Sequence, residues 1–256
     1  GDDNIAIGRL AIGTGVTTGT GNIGLGISAL SALLAGTNNI GIGLTAGDAL
    51  TTGTDNIAIG RLAASATPDG ADNIAIGRSA FAVSDGVADC NIAIGLSALG
   101  GADVSGLSNI AIGTSTMDAL TTGICNIAMG TNALGASTTG CNNVALGETA
   151  LGAAVTTGNM NVGIGKSAGE DIAAGCANIM IGCGAGKQTS SGQNNVALGH
   201  TAYESATTGC LNIALGYATM SAVVTGINNI ALGTSAMDAL TSGLCNIAIG
   251  TNALGQ

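Results

Sequence analysis

Apolar and polar positions alternate in a short motif that returns along the whole chain. The motif Asn-Ile-Ala-Ile-Gly, or a close variant, occurs fifteen times. Ten of the fourteen spacings between successive asparagines are 17 residues and four are 18. A fixed period of this length is typical of a repeat architecture. The sequence therefore predicts a single repeat array over residues 1–256. Its invariant asparagines are Asn4, Asn22, Asn39, Asn56, Asn73, Asn91, Asn109, Asn126, Asn143, Asn161, Asn178, Asn195, Asn212, Asn229 and Asn246.

The residues that follow each asparagine have the pattern of a short strand. The first and third are always Ile, Val, Leu or Met, and the fourth is always Gly. Apolar residues at a spacing of two predict a strand whose first and third side chains point inward. The glycine after it supplies a tight corner. A second short strand, for example over residues 97–99, is expected before a Thr-Thr-Gly type of turn.

Two short strands and two turns in each repeat predict one coil of a β-solenoid. A helix of useful length has no room, and two glycines in each repeat disfavour one. Coils stacked about 4.8 Å apart would form a rod roughly 70 Å long. An asparagine at a constant place in every coil predicts a ladder of amide hydrogen bonds. The expected fold is an all-β parallel β-solenoid, or β-roll, of about fifteen coils.

The second position after the asparagine suggests a partner. It is Ala eleven times, Gly three times and Met once. A strand position that faces water normally varies among polar residues. We therefore expect this small apolar column to face a second chain, so that chains associate side by side. The alternative is that the column packs inside a wide coil.

The fifth position, called the variable column below, behaves in the opposite way. It contains four of the five basic residues and the single histidine. Long and varied side chains indicate a column that faces solvent, and the alternative to recognition is a plain solvated face. The candidate surface-recognition residues are Arg9, Arg61, Arg78, Glu148, Lys166, His200 and Tyr217.

Composition excludes several classes of function. Charged residues are 8% of the chain and the net charge is −10, which is incompatible with a nucleic-acid binder that neutralises phosphates. No apolar run reaches the ~18 residues of a membrane helix, so we expect no membrane insertion. With one histidine and few charges, we expect no catalytic site, no metal site and no cofactor. The segment from Gly163 to Ser167 resembles the end of a phosphate-binding loop, but its first glycine is replaced by Met160.

The seven cysteines do not form a disulfide framework, because their number is odd and they are scattered. Only Cys125 and Cys141 lie on adjacent coils, where a disulfide bond is geometrically allowed. The other interpretation is that the cysteines are free and act as small core residues. That many thiols suits assembly in a reducing cytoplasm.

The repeat resembles that of bacteriophage tail-fibre proteins and is similar to the head repeats of trimeric autotransporter (YadA-like) adhesins. The likeness rests on Asn-Ile-Ala-Ile-Gly-x-x-Ala-Leu followed by Thr-Thr-Gly, and it extends over the whole chain. The resemblance implies a parallel β-roll, three chains around a common axis, and attachment to a host surface. The chain starts and stops inside a repeat, so we expect a fragment or processed part of a longer fibre.

The resulting hypothesis is a structural and attachment protein, not an enzyme. We expect a homotrimeric shaft of a tail fibre or similar adhesin, located on a virion or at a cell surface. Its partners would be copies of itself and a host cell-surface glycan or protein. A self-assembling extracellular filament is the first alternative, and an ice-binding solenoid is a lesser one.

Overall fold

The chain folds as an all-β parallel β-solenoid. The structure is a computed structural model that describes residues 1–13, 15–84, 88–222 and 224–255. It contains 15 strands and about 14 turns, and no helix occurs in these residues. The predicted β-solenoid is confirmed. The contacts of the chain divide into two compact units, Gly1–Cys125 and Asn126–Gln256, which are described separately.

The first unit contains seven strands of three residues, each paired in parallel with the next. Every pair is in register, so that the same repeat position lies opposite itself. The strands are β1 (Ile5–Ile7), β2 (Ile23–Leu25), β3 (Ile40–Ile42), β4 (Ile57–Ile59), β5 (Ile74–Ile76), β6 (Ile92–Ile94) and β7 (Ile110–Ile112).

The second unit repeats this arrangement with eight strands, again in parallel order and in register. The strands are β8 (Ile127–Met129), β9 (Val144–Leu146), β10 (Val162–Ile164), β11 (Ile179–Ile181), β12 (Val196–Leu198), β13 (Ile213–Leu215), β14 (Ile230–Leu232) and β15 (Ile247–Ile249). In-register pairing turns each repeat position into a continuous column of side chains.

The inward and outward sides of the strands are the reverse of the prediction. In β12 the central Ala197 is fully buried, whereas Val196 is half-buried and Leu198 is 46% exposed. The second position is buried in every strand from β2 to β15, and the first and third positions are not. The small column therefore packs inside its own coil, and the expectation that it faces a second chain was wrong. The reason is volume: a 17-residue coil is so narrow that the strand contributes little more than a methyl group opposite the larger inward residue of the far wall.

The single methionine of the small column has a local explanation. Met180 is fully buried in β11, and its side chain fills the space beside Gly186. A Cβ atom at Gly186 would overlap the thioether of Met180. Gly186 occupies a position that ten of the fourteen other coils give to Leu, Met, Phe or Tyr. A large inward residue on the strand is thus matched by a missing side chain on the opposite wall, which keeps the core close-packed.

The predicted second strand is also wrong, because the segment after the corner is a chain of turns. In the coil of β6, Ser97 and Leu99 have φ angles of 52° and 50°, which is the left-handed region. Residues whose backbone angles alternate between the left-handed and right-handed regions reverse the direction of the chain within a few positions, which an extended strand cannot do. Leu99 nevertheless points inward and is fully buried. The core of each coil therefore combines an inward alanine from the strand with an inward residue from the turns.

Glycine ends each strand because two rungs approach closely there. Gly147 has a φ angle of 139°, and a Cβ atom on it would lie 2.5 Å from the carbonyl oxygen of Gly165 on the next rung. Both the backbone angle and the contact exclude a side chain. The corner predicted from the sequence is confirmed.

Candidate interaction surface

A continuous ladder of asparagine side chains lines the interior of each unit. At Asn161, the side-chain nitrogen donates to Asn143 Oδ1 at 3.2 Å and to the carbonyl oxygen of Gly175 at 2.8 Å. Its Oδ1 accepts from both the backbone nitrogen and Nδ2 of Asn178, at 3.1 and 3.0 Å. Asn161 is fully buried, and its amide is satisfied on every side, as a buried polar group must be. The carbonyl acceptor is the residue three before the next asparagine, which is a glycine except at Ala88.

One aromatic residue joins this ladder. Tyr203 is 1% exposed, and its hydroxyl donates to Asn195 Oδ1 at 3.2 Å and accepts from Asn212 Nδ2 at 2.8 Å. Burial raises the pKa of Tyr203 far above its ordinary value, although the Asn212 hydrogen bond acts in the opposite direction. Sequence reasoning missed this residue. The available signal was that its column, eight residues after each asparagine, avoids β-branched residues except at Ile12, as a left-handed position does.

The outward side of the strands is an apolar strip. We call the side chains at the first and third positions after each asparagine the strand face. They are Ile, Val, Leu or Met in all fifteen repeats, and examples are exposed by 45% at Met129, 46% at Leu198 and 44% at Leu232. Eight rungs about 4.8 Å apart make a strip on the order of 500 Å² in the second unit alone. A monomeric protein rarely exposes so large an apolar patch without using it.

The variable column lies at the end of the strand face and is exposed at all fifteen of its positions. This includes every candidate recognition residue named from the sequence. In the first unit, Arg61 and Arg78 follow each other on adjacent rungs, and Arg9 lies several coils away. None of the three arginines forms an ion pair with a residue that the structure describes.

The candidate residues of the second unit form two contact pairs. Lys166 Nζ lies 3.1 Å from Glu148 Oε2, and both side chains are more than half exposed. Such a solvent-exposed pair contributes little to stability. One rung beyond Cys183, the rings of His200 and Tyr217 stack with centroids 5.4 Å apart and an angle of 8° between their planes. The structure thus brings two aromatic rings together on the surface of a chain that has almost none.

The cysteines occupy the corners of the coils rather than the core. All seven are free and none is buried, so the interpretation of core thiols was wrong, and the bond allowed between Cys125 and Cys141 is absent. The physical reason is position: the two residues before each asparagine form a turn whose side chains point outward. Six cysteines lie there, and Cys183 lies in the variable column. The six are Cys90, Cys125, Cys141, Cys176, Cys210 and Cys245.

Several carboxylates are partly buried on the wall opposite the strands, which the sequence did not suggest. Asp118 and Asp48 each have one buried carboxylate oxygen without a hydrogen-bond partner. Desolvation raises the pKa of both carboxyls above their ordinary value, and a backbone hydrogen bond partly offsets this at Asp48. At Asp69 the opposite holds, because the hydroxyls of Thr52 and Thr51 donate to the carboxylate and lower its pKa.

Among the described residues, no three His, Cys, Asp or Glu side chains are grouped so that they could hold a metal ion. No helix that could cross a membrane occurs in the part of the chain that the structure describes.

Comparison with known proteins finds no match for this chain among protein-family models, curated proteins or solved structures.

Proposed function

We propose that the chain is a structural and attachment protein, a shaft of a tail fibre or similar adhesin built from three copies. The observation that carries the proposal is the exposed strand face. A stable interface needs about 800 Å² from each partner, and the strand face of one unit supplies more than half of that. A second copy of the same chain is the simplest occupant, because an apolar strip of constant width matches itself along its length.

The interior supports the mechanical part of this role. A fully hydrogen-bonded asparagine ladder and in-register strands restrain every coil from both sides. Three such chains would hold their strand faces around a common axis, with the variable columns along the outer edges of the seams between copies, where their outward side chains stay accessible. Weak contacts from repeated columns would then add through avidity on a virion or cell surface.

Light scattering of the purified chain with two lysines in the strand face tests the assembly. We expect the unmodified chain to have the mass of three copies, and Ile230→Lys combined with Leu232→Lys to reduce it to one. Both residues are exposed on β14, so the circular dichroism spectrum should stay unchanged. The matched control is Thr234→Lys in the variable column, which should keep the mass of three because this column already carries long cationic side chains at Arg61 and Lys166. A monomeric mass for the unmodified chain would refute the assembly.

A self-assembling extracellular filament is the second candidate, and one observation favours it. The strand face is uniform from rung to rung, so it fixes the relative stagger of two copies only weakly. Staggered copies would grow lengthwise without limit. Electron microscopy would then show fibres of unrestricted length in place of short particles of one size.

Attachment is tested separately on the variable column. The stacked rings of His200 and Tyr217 are the best-formed recognition feature, because an aromatic platform suits the apolar face of a sugar or a protein side chain. We expect Tyr217→Ala to reduce binding of the labelled protein to host cells severalfold, and Thr234→Ala in the same column to leave it unchanged. Equal binding by both variants would remove this pair from the attachment site.

A further inference from the structure

The coil of β11 differs from every other coil in its cysteines. Cys176 lies two residues before Asn178, and Cys183 lies two residues after the end of the strand at Ile181. No other repeat carries a cysteine on both sides of its strand. Cys183 is exposed, Cys176 is half-buried, and both are free. One strand face is therefore bordered by a thiol on each rim at the same height.

Neither cysteine has a second thiol within reach in its own chain; the Cys176 thiol is hydrogen-bonded only to backbone, accepting from the nitrogen of Asn159 and donating to the carbonyl oxygen of Ala174. Backbone hydrogen bonds place Asn159 and Asn194 on the rungs next to the Cys176 corner, and the nearest cysteines of its column, Cys141 and Cys210, are two rungs away. Two rungs are about 9.6 Å, and a disulfide requires Cα atoms within about 7 Å. Cys176 and Cys183 themselves lie at opposite ends of an extended strand.

The rungs around Cys183 contain no thiol either. The backbone nitrogen of Gly184 donates to the carbonyl oxygen of Lys166, and that of Thr201 donates to the carbonyl oxygen of Cys183. These bonds place Lys166 and His200 on the adjacent rungs of the variable column. Any disulfide at Cys183 must therefore come from outside the chain.

A cyclic assembly brings the two rims together. When identical chains stand parallel around an axis with their strand faces inward, each interface is heterologous. The leading rim of one copy then meets the trailing rim of the next at the same height. Cys176 and Cys183 satisfy this condition because they belong to one coil.

We propose that Cys176 of one copy forms a disulfide with Cys183 of the partner subunit, and that three such bonds close the trimer covalently at β11. This inference rests on the proposed self-association through the strand face. The oxidant is a small-molecule disulfide such as oxidised glutathione. One protein thiolate attacks it and releases a glutathione thiolate. The second protein thiolate then attacks the mixed disulfide and releases the other. Two protein thiols thus lose two protons and two electrons, and one small-molecule disulfide becomes two thiols.

The test uses the full chain with the other five cysteines changed to serine. All five are at least partly exposed, so this background should fold. Incubation with oxidised glutathione, followed by non-reducing gel electrophoresis in denaturant, should give a covalent trimer that dithiothreitol converts to monomer. Cys176→Ser and Cys183→Ser, each added alone to this background, should give only monomer.

Mixing the two single variants tests which residues pair. If they are unfolded, refolded together and oxidised, a Cys176 from one variant meets a Cys183 from the other, and a covalent dimer should appear. A covalent dimer from either variant alone would mean that identical cysteines pair, and it would overturn the proposal. Monomer from the mixture would overturn it as well.

Light scattering in dithiothreitol separates this inference from the proposed function. The mass of three copies in reductant, without covalent trimer after oxidation, would refute the disulfide and leave the assembly intact. A monomeric mass in reductant would refute the assembly through the strand face itself.

Discussion

The side-chain nitrogen of Asn212 donates a hydrogen bond of 2.8 Å to the hydroxyl of Tyr203. The tyrosine comes from the turns of one coil and the asparagine from the start of the next, so this bond ties the two walls of the solenoid together. Both groups are buried. A buried amide that loses its hydrogen-bond partner destabilises the folded state, so removing this hydroxyl should lower the free energy of unfolding.

Tyr203→Phe should lower the free energy of unfolding by about 1–3 kcal/mol, because the ring remains while Asn212 and Asn195 lose a hydrogen-bond partner. Urea denaturation followed by circular dichroism measures the change. The control is Tyr217→Phe, which removes an exposed hydroxyl and should change stability by less than about 0.5 kcal/mol. Equal losses in the two variants would contradict the role of the Tyr203 hydroxyl.

Replacing a ladder residue should be more damaging. Asn161→Ala removes an amide that makes bonds to Asn143, Gly175 and Asn178, and it leaves buried donors and acceptors unpaired. We expect a loss of about 3 kcal/mol or more. Thermal and urea unfolding give the value, and Gln193→Ala, an exposed amide of the same unit, is the comparison. If the loss were no larger than that of Gln193→Ala, the asparagine ladder would contribute little to the free energy of unfolding.

The reversed orientation of the strands predicts which positions tolerate large side chains. Ala197→Leu adds three carbons to a filled interior and should destabilise the second unit by about 1–3 kcal/mol. Thr234→Leu places the same leucine side chain in the exposed variable column and should be nearly neutral. Both are measured by urea denaturation. If the alanine variant kept full stability but changed the mass of the assembly, the small column would face a partner after all.

Lowering the pH should change the contributions of Asp118 and Asp69 to stability in opposite directions. Desolvation raises the pKa of Asp118 in the folded chain above its ordinary value of 3.8. Between pH 3.8 and this raised pKa, the folded state therefore binds more protons than the unfolded state. The carboxylate therefore lowers stability at neutral pH, and this cost disappears as pH falls through the window. Asp118→Asn should be more stable than the unmodified chain at pH 7, and the advantage should shrink towards pH 4.

The comparison is Asp69→Asn, whose effect should have the opposite sign. The pKa of Asp69 lies below 3.8 because Thr52 and Thr51 donate to its carboxylate. The ionised carboxylate stabilises the fold above pH 3.8, and this contribution is lost as the pH falls through the lowered pKa of Asp69. This variant should be less stable than the unmodified chain at pH 7, and the difference should fade in acid. Urea denaturation at several pH values measures both, and differences of the same sign would contradict the assignment.

The exposure of a side chain was predictable where it follows from the repeat itself. Its role was not predictable where it depends on contacts with other parts of the folded coils. The exposure of Lys166 and His200 followed from the variability of their column. The role of Tyr203 did not, because it depends on the tyrosine hydroxyl reaching across the coil to Asn195 of its own repeat and Asn212 of the next. The partly buried Asp118 was missed because its desolvation comes from burial in the folded chain, where Gly101 of the preceding coil lies against its carboxylate.

The sequence by itself determined the period, the parallel stacking and the asparagine column, because a motif repeated every 17 or 18 residues places the same residue on every rung. It could not determine which side of the strand is inward. Both alternating sets are apolar, one small and one large, and alternation alone gives two equivalent choices. The tertiary structure decided between them through volume. A narrow coil accepts Ala197 and its equivalents, and it leaves Leu198 and the rest of the strand face outside.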